Sequence, residues 1–299
     1  MAARSDLTRA RARDAAQASA LARIKWRDVL RHLAIHGALI GIAAMWVLPM
    51  VWMISTSLKT DTQIFTWPPE WIPRPFRWAN YPEAVSYIPL LLYARNTVFV
   101  AAGAVAGAIF SCPLVAYGLA RIPWKGRNVL FVITLATMML PFQVTMIPLF
   151  VTFRHLGWLN SWLPLIVPSW FGSAFFIFLL RQFFMGIPQD LIDAARMDGA
   201  SELGIYARIV LPLAKPALAV VALFQLLGSW GSFMAPLIYL NESRLYTISL
   251  GLQQYRSERS TEWGYLMVAS TLTTLPVVIV FIFTQRTFIE GIALTGIKG

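Results

Sequence analysis

Five uncharged residues that could bind a polar solute interrupt the long apolar stretches of this chain. They are Gln143, Ser173, Gln225, Ser229 and Trp230. Amide and hydroxyl groups can form hydrogen bonds with the hydroxyls of a solute, and an indole ring offers an apolar face to its C–H groups. This is the chemistry that reversible binding of a sugar requires. Each residue is equally suited to a hydrogen bond between two helices, and the sequence leaves both interpretations open.

A second candidate is the polar segment 187–212, which lies between two long apolar stretches and which we call the elbow. Pro188 favours a helix start, and Gly199 can adopt the left-handed conformation that ends a helix. Ser201 can cap a second helix, which Pro212 is predicted to close because proline disfavours helical geometry in the residue before it. The elbow is therefore predicted to be two short helices joined at a glycine turn.

The first helix of the elbow has small side chains that would let another protein approach its backbone. Ala194 and Ala195 provide the small surface, and Asp193 and Arg196 place charges beside it. The pattern predicts a docking element on a partner protein.

Several kinds of active chemistry are absent from the sequence. It has no Gly-x-x-x-x-Gly-Lys-Ser/Thr loop to hold a phosphate, so the chain is not expected to hydrolyse ATP itself. The centres of the apolar stretches hold no carboxylate, lysine or histidine, which an ion-coupled transporter would need at membrane depth. The single cysteine, Cys112, excludes an internal disulfide and a cysteine-based metal site. No catalytic and no metal-binding residue is predicted.

The composition indicates a membrane protein. Of the 299 residues, 58% are hydrophobic and 13% are charged, and the mean hydropathy is +0.62. A helix needs about 20 residues to cross the hydrocarbon layer, and six stretches are long enough. The predicted fold class is therefore all-α. Its six spans are predicted at 36–57, 96–119, 128–152, 162–184, 214–240 and 264–285.

The basic residues predict the orientation of these spans. Six spans place both termini on one side, and 17 of the 25 Lys and Arg residues fall on that side together with the elbow. Because cytoplasmic loops are enriched in Lys and Arg, both termini and the elbow are predicted to be cytoplasmic. The formal net charge of +11 then reports topology, and no nucleic-acid partner is expected.

The elbow resembles the EAA motif of ABC importer permeases, which has Glu-Ala-Ala, a later glycine and a closing apolar-Leu-Pro. An aspartate stands here in place of the usual glutamate. The matching residues are Asp193, Ala194, Ala195, Asp198, Gly199, Ala200, Leu211 and Pro212.

Further residues resemble the carbohydrate-uptake branch of that family, in particular the second permease of maltose-type importers. The resemblance covers residues 35–299, although Gly231 stands where an asparagine commonly follows the tryptophan. The residues that carry it are Asn96-Thr97, Trp230 before Phe233 and Pro236, and the C-terminal Gly296-Ile297-Lys298-Gly299.

The resemblance implies a six-helix transmembrane domain of the type I ABC importer kind, in the inner membrane of a prokaryote. It implies a homologous second permease, two copies of a cytoplasmic ATP-binding subunit that hold ATP and Mg²⁺, an extracytoplasmic solute-binding protein, and membrane lipid. The chain itself would bind no cofactor and would form half of the pathway for a sugar or sugar-like solute. The elbow would dock in a groove of one ATPase subunit, where Asp193 would pair with a basic residue.

The remaining segments are assigned by their position and composition. Residues 1–32 are predicted to be a basic cytoplasmic arm, residues 33–299 the permease domain, and residues 291–299 a cytoplasmic tail. The segments 59–95 and 241–262 are predicted to be external, where each forms an interfacial belt or helps to dock the binding protein.

Two other functions remain open from the sequence. The chain could be a regulatory or structural membrane subunit whose elbow docks on a partner that is not an ATPase. It could also be an ABC importer permease for a solute that is not a sugar, because no residue selects a particular solute.

Overall fold

The fold is described by a computed structural model. Its backbone covers residues 2–256 and 261–296. Parts of the predicted external segment and of the predicted tail, at residues 257–260 and 297–299, lie outside the described residues. Side chains are described for Trp26, residues 28–256 and residues 261–285.

In these described ranges the regular structure is helical, apart from one isolated bridge between Arg256 and Thr261. The prediction of an all-α fold is confirmed. The α-helices are α1 (Ala2–Ser57), α2 (Asp61–Ile64), α3 (Asn80–Tyr87), α4 (Leu90–Ala120), α5 (Arg127–Thr137), α6 (Phe142–His155), α7 (Leu163–Ile166), α8 (Ala174–Met185), α9 (Gln189–Met197), α10 (Glu202–Ile205), α11 (Leu211–Leu213), α12 (Lys215–Trp230), α13 (Met234–Tyr239), α14 (Ile248–Gly251) and α15 (Trp263–Gly296). Short 3₁₀ turns span Val167–Phe171, Ser243–Leu245 and Leu252–Tyr255, and a π-turn spans Tyr206–Val210.

Six spans are present when two bent helix pairs are counted as one span each. The bent pairs are Arg127–Thr137 with Phe142–His155 and Glu202–Leu213 with Lys215–Trp230. The helices that are long and apolar enough to cross a membrane alone are Asp28–Ser57, Leu90–Ala120, Leu163–Met185 and Trp263–Gln285.

The third span is not the single helix predicted at 128–152. Its two helices, α5 and α6, meet at 97°, and Pro141 directly precedes α6. Proline lacks the N–H that would continue a helix and disfavours helical geometry in the residue before it, so the chain turns here. Most side chains of the pair are exposed, and Phe153 is its one buried residue.

The fifth span, predicted at 214–240, is also interrupted. α12 ends at Trp230 and α13 begins at Met234, and a bend of 76° lies at Ala214, between α11 and α12. The prediction that Pro212 closes the second elbow helix is wrong. Pro212 lies in the first turn of α11, where its missing N–H costs no hydrogen bond, and the helical path continues to the bend.

Helices α1 and α15 extend beyond the first and last predicted spans. α1 runs without a break from Ala2 to Ser57 and includes the basic residues of the predicted arm. α15 reaches Gly296 and so includes the beginning of the predicted tail. The treatment of the arm and the tail as separate units stays a prediction.

α4 lies at the centre of the fold and packs against α8 and α12. Gly103, Gly107 and Ser111 recur every four residues, a spacing that predicts close helix packing. A Cβ atom at Gly107 would lie 2.5 Å from Trp170, and one at Gly103 would lie 3.0 Å from Ile166. The two glycines therefore leave space for the side chains of Ile166 and Trp170, which pack against α4.

Two buried apolar clusters lie towards opposite ends of α4. The elbow cluster consists of Ala108, Cys112, Ala116, Tyr117 and Leu119 of α4 with Phe176, Ile177, Leu180, Phe184, Ile187, Ile192, Ile205, Tyr206, Val210, Ala214, Ala217 and Val221. The outer cluster consists of Leu90 and Tyr93 of α4 with Ala84, Ile88, Ile248, Tyr255, Val268 and Ala269.

Candidate functional sites

The elbow turns at Gly199, whose φ of +78° lies in the left-handed region. The N–H of Gly199 donates to the carbonyl of Arg196 at 3.0 Å, and the N–H of Ala200 donates to the carbonyl of Ala195 at 2.9 Å. These two bonds form a Schellman motif, which satisfies carbonyls at the end of a helix. The glycine turn after Met197 is therefore present as predicted.

The second helix of the elbow begins with the predicted cap. The Oγ atom of Ser201 accepts a hydrogen bond from the N–H of Gly204 at 3.2 Å. This bond satisfies one of the N–H groups that a helix start leaves free. Glycine turn and serine cap together define the angle between α9 and α10 by local bonds.

The elbow has a buried face and an exposed face. Ile192, Ile205 and Val210 are fully buried in the elbow cluster. On the other side, the exposed residues of α9 include Ala194 and also Met197, whose side chain is 85% exposed. Leu191 and Leu203 are exposed as well. The elbow therefore presents an apolar surface that its own chain leaves uncovered.

Charged side chains join the two helices of the elbow. Arg196 contacts Asp193 of its own helix (Nη1 to Oδ1, 3.0 Å) and Glu202 of the next helix (Nε to Oε1, 2.8 Å). The hydrogen bond with Glu202 raises the pKa of the Arg196 guanidinium above its ordinary value. Asp193 also accepts a bond from Gln189, yet its side chain stays 53% exposed. The Asp193 carboxylate on α9 is thus still accessible to a partner.

Two residues at the end of α4 contact the elbow, and no pattern in the sequence indicated either contact. Tyr117 donates from Oη to the second carboxylate oxygen of Glu202 at 2.8 Å. Arg121 donates from Nε to the carbonyl of Phe184 at 2.8 Å and from Nη1 to Oε1 of Gln189 at 2.7 Å. In the sequence Tyr117 lies in an apolar stretch and is typical of a core residue. Arg121 is typical of the basic residues that indicate the cytoplasmic side.

Two of the five predicted solute-binding residues come together at a cavity of about 190 Å³. Gln225 donates from Nε2 to Oγ of Ser229 at 3.1 Å and to Oγ of Ser169 at 3.4 Å. Thr247 is buried, and its hydroxyl has no hydrogen-bond partner among the described residues. The cavity is lined by Val100, Pro164, Leu165, Gln225, Gly228, Ser229, Ser232, Ala235, Pro236 and Thr247.

The other three predicted residues do not line this cavity. Trp230 donates from Nε1 to the carbonyl of Thr273 at 3.1 Å and lines a separate, almost wholly apolar groove of about 320 Å³ between α4, α12 and α15. Ser173 directly precedes α8. Gln143 is exposed in the first turn of α6, after the sharp bend. Their contact with a solute stays a prediction.

The segment 241–256 is bound to the outer end of α4. Asn96 donates from Nδ2 to the carbonyls of Arg244 and Tyr246 at 2.9 and 3.0 Å. Thr97 accepts from the N–H of Ile248 at 2.8 Å. We call residues 241–256 the external segment, following the predicted topology.

Side-chain bonds also order the start of the external segment, both within it and to Asn160 in the loop before α7. Hydrogen bonds from Arg244 and Asn160 lower the pKa of the exposed Glu242 carboxyl. Asn160 in turn accepts from the backbone N–H groups of Asn241 and Glu242, both at 3.1 Å. The described side chains include no group of three or more His, Cys, Asp or Glu that could hold a metal ion.

Comparisons with known proteins agree on one family. The model of the family described as "Binding-protein-dependent transport system inner membrane component" matches residues 111–293. The matched range includes the elbow, the external segment and every residue that lines the cavity except Val100.

Two curated relatives are sugar permeases. The arabinooligosaccharides transport system permease protein AraQ of Bacillus subtilis is 40% identical over 64% of this chain and 68% of its own length. The sulfoquinovosyl glycerol transport system permease protein SmoH of Agrobacterium fabrum is 32% identical over 84% of this chain and 88% of its own length.

A solved structure shows the same architecture. A chain of a bacterial ABC transporter involved in the import of the acidic polysaccharide alginate superimposes with a TM-score of 0.75 at 25% identity. The match covers 85% of this chain and 95% of that chain.

Proposed function

Because this chain belongs to the family of binding-protein-dependent transport system inner membrane components and is the permease subunit of a sugar ABC importer, we propose that its elbow couples transport to ATP hydrolysis by a partner subunit. The chain is a non-catalytic, multi-pass protein of the inner membrane. The observation that carries the proposal is the apolar face of the elbow, which is exposed around Met197 and held at a fixed angle by the turn at Gly199.

The elbow has the surface that docking on an ATPase subunit requires. The exposed Leu191 and Met197 stand three residues before and after the small, exposed Ala194 in α9, so another protein can approach the backbone and bury area at the same time. Leu203 of α10 is exposed as well. Asp193 is half exposed and can form a further pair with a basic residue of the groove. Closure of two ATP-binding subunits on ATP and Mg²⁺ would then move the elbow.

Reversal of charge at Asp193 tests this docking. We expect Asp193→Lys to weaken binding of the ATPase subunit, measured by co-purification, by at least about tenfold, because a like-charge contact at an interface costs several kcal/mol and about 1.4 kcal/mol is a tenfold change in affinity. The matched control is Asp190→Lys, which changes an exposed residue of the same helix in the same way. Equal retention of the ATPase by both variants would contradict the assignment of Asp193.

The complete importer is proposed to contain further subunits. A homologous second permease would cover the exposed side chains of α5 and α6 and supply the other half of the pathway. Two copies of the ATPase would bind on the cytoplasmic side, and a solute-binding protein would dock on the opposite side. This arrangement places both termini and the elbow in the cytoplasm, as the basic residues predict.

The cavity beside Gln225 is proposed to belong to the sugar pathway. Its amide and hydroxyl groups are neutral, which suits a solute that exchanges water hydrogen bonds for weak protein ones. Thr247, whose buried hydroxyl has no hydrogen-bond partner among the described residues, lies in the same wall. A neutral lining also permits release, since no charge holds the solute.

Gln225→Leu tests the pathway. This variant keeps the size of the side chain and removes its hydrogen bonds, so we expect half-maximal ATPase stimulation to need about fivefold to tenfold more sugar, since one hydrogen bond is worth about 1 kcal/mol. Gln182→Leu is the matched control, because it makes the same change at an exposed position of α8 that does not line the cavity. The sugar concentration that gives half-maximal ATPase stimulation is measured for both variants in reconstituted vesicles. An unchanged Gln225→Leu would remove the cavity from the pathway.

The function as a whole is tested by vanadate-sensitive ATPase activity. The chain is reconstituted with its second permease, ATPase and binding protein, and a panel of sugars is added that includes arabinooligosaccharides. Stimulation by one sugar supports the proposal and identifies the solute. Failure of the elbow-bearing chain to bind the ATPase would favour instead a regulatory membrane subunit.

A further inference from the structure

We infer that α4 links the elbow mechanically to the external segment, so that the ATPase and the solute-binding protein act on opposite ends of one helix. The inference rests on the proposed coupling role of the elbow and extends it to the partner on the other side of the membrane. It makes Tyr117 and Tyr93 positioning residues, which act through the segments they hold.

The inner end of α4 is joined to the residues that match the coupling motif by an unbroken chain of polar contacts. Tyr117, which is 4% exposed, bonds to one oxygen of Glu202 at 2.8 Å, and Arg196 bonds to the other oxygen at 2.8 Å. Arg196 also pairs with Asp193 at 3.0 Å. Hydrogen bonds to ionised groups are among the strongest in proteins. Movement of Asp193 is therefore transmitted to Tyr117.

A second contact holds the chain that enters the elbow. Arg121 directs its guanidinium to the carbonyls of Phe184 and Ile187, close to the end of α8, and to the side chain of Gln189. A helix end leaves such carbonyls without partners, and the planar fork of arginine can satisfy several of them at once. α4 thus holds both helices of the elbow, which prevents the elbow from pivoting about a single contact.

Packing reinforces these polar contacts. The rings of Tyr117 and Tyr206 lie 5.3 Å apart, and both belong to the elbow cluster with the fully buried Ile192 and Ile205. A close-packed interior resists compression and transmits displacement. The elbow and the inner end of α4 therefore move as one body.

The outer end of α4 binds the external segment in an equivalent way. Tyr93, which is 1% exposed, donates from its hydroxyl to Oε1 of Gln254 at 3.0 Å. Asn96 and Thr97 add three hydrogen bonds to the backbone of residues 244–248. The external segment is therefore anchored on α4 through side chains that are themselves buried.

Between these two ends α4 is continuous. It has 31 residues and continues through Pro113, so at about 1.5 Å per residue it extends about 46 Å. The elbow cluster and the outer cluster both contain residues of α4. A displacement imposed at one end thus reaches the other through a single helix.

The test uses the same chemical change at both ends of the helix. Tyr117→Phe and Tyr93→Phe each remove one hydroxyl and one hydrogen bond and keep the ring. In the reconstituted complex we expect each variant to lower the stimulation of ATPase activity by sugar-loaded binding protein by about fivefold, within the usual range of coupling factors. Basal ATPase activity should be unchanged, and the melting temperature should fall only slightly, as expected for one lost hydrogen bond. The double variant should lose no more than the worse single variant, because both changes interrupt one path.

A binding measurement separates coupling from stability. Coupling is reciprocal, so trapping the ATPase with vanadate should change the affinity of the complex for the binding protein, and Tyr117→Phe should reduce that change although it lies far from the external surface. Tyr265→Phe is the matched control, since its hydroxyl bonds to Glu83 and not to a residue of α4. If a tyrosine variant fails to assemble, Glu202→Gln and Gln254→Leu change the same two contacts from the partner side.

Each outcome is decisive. Losses that multiply in the double variant would mean that the two ends act independently, and the inference would be overturned. It would also fail if Tyr265→Phe lowered stimulation as much as Tyr117→Phe. If Tyr117→Phe has no effect while disruption of the turn at Gly199 abolishes stimulation, the elbow keeps its role and only the link through α4 fails. If neither change has an effect, the proposed function of the elbow fails as well.

Discussion

Replacement of Gly199 by valine is expected to reduce sugar uptake and sugar-stimulated ATPase activity by at least about tenfold. The φ of this residue is +78°, and a Cβ atom placed on it would contact nothing within 4 Å. The cost therefore arises in the backbone. The left-handed conformation is less favourable for an L-residue by about 1–2 kcal/mol, and by more for a β-branched residue such as valine. About 1.4 kcal/mol corresponds to a tenfold change in an equilibrium.

The physical reason predicts what the variant does to the molecule. The Schellman motif at Gly199 sets the angle between α9 and α10, so valine would turn the exposed apolar face of α9 away from its partner. The subunits should still assemble through their membrane helices. The measurement is uptake of labelled sugar into vesicles, together with co-purification of all subunits.

Gly199→Asn is the control for this prediction. Asparagine also adds a side chain but enters the left-handed region far more readily, so uptake should remain close to normal. Equal loss in the valine and asparagine variants would show that the added side chain and not the backbone is at fault. Normal uptake in Gly199→Val would count against the coupling role of the elbow.

The second large effect is expected for Gly251→Ala in the external segment. A Cβ atom at Gly251 would lie 2.2 Å from Cδ2 of Tyr93, a ring that is 1% exposed and whose hydroxyl is bonded to Gln254. The ring has no free space to enter, and overpacking of this kind costs about 1–3 kcal/mol. The external segment should separate from α4, which lowers both the melting temperature of the complex and its affinity for the binding protein.

Gly118→Ala is the matched control for Gly251→Ala. Gly118 is a glycine of α4 whose Cβ position has nothing within 4 Å, so alanine there should be neutral or slightly stabilising. Differential scanning fluorimetry of the purified complex measures both variants. A melting temperature for Gly251→Ala equal to that of the original protein would contradict the packing described at Tyr93.

Features that depend on local chemistry could be predicted from the sequence. The turn at Gly199 and the cap at Ser201 follow from the backbone freedom of glycine and from a hydroxyl placed before a helix. The all-α fold and its membrane location follow from the length and composition of the apolar stretches. In each case the signal lies within one continuous stretch of the chain and needs no contact with a distant stretch.

Features that depend on distant contacts could not be predicted. Tyr117 and Glu202 are separated by 85 positions, and only the packing of α4 against the elbow brings them together. Pro212 has the pattern of a helix end, but the preceding π-turn and its place in the first turn of α11 let the helical path continue. Gln225 and Ser229 are four residues apart on one helix, so their contact with each other could be expected from the sequence, whereas Gln143 lies beyond a bend of 97° whose angle no local pattern sets.

The exposed side chains of α5 and α6 have a consequence for assembly. Lipid tails solvate apolar side chains as well as a protein surface does, so this face carries no hydrophobic penalty in the bilayer. The subunit can therefore persist in the membrane as a folded monomer and recruit its partner by lateral diffusion. The choice among partners then depends on how well the surface of each partner fits the side chains of α5 and α6. Where the fit is poor, lipid would continue to cover these side chains.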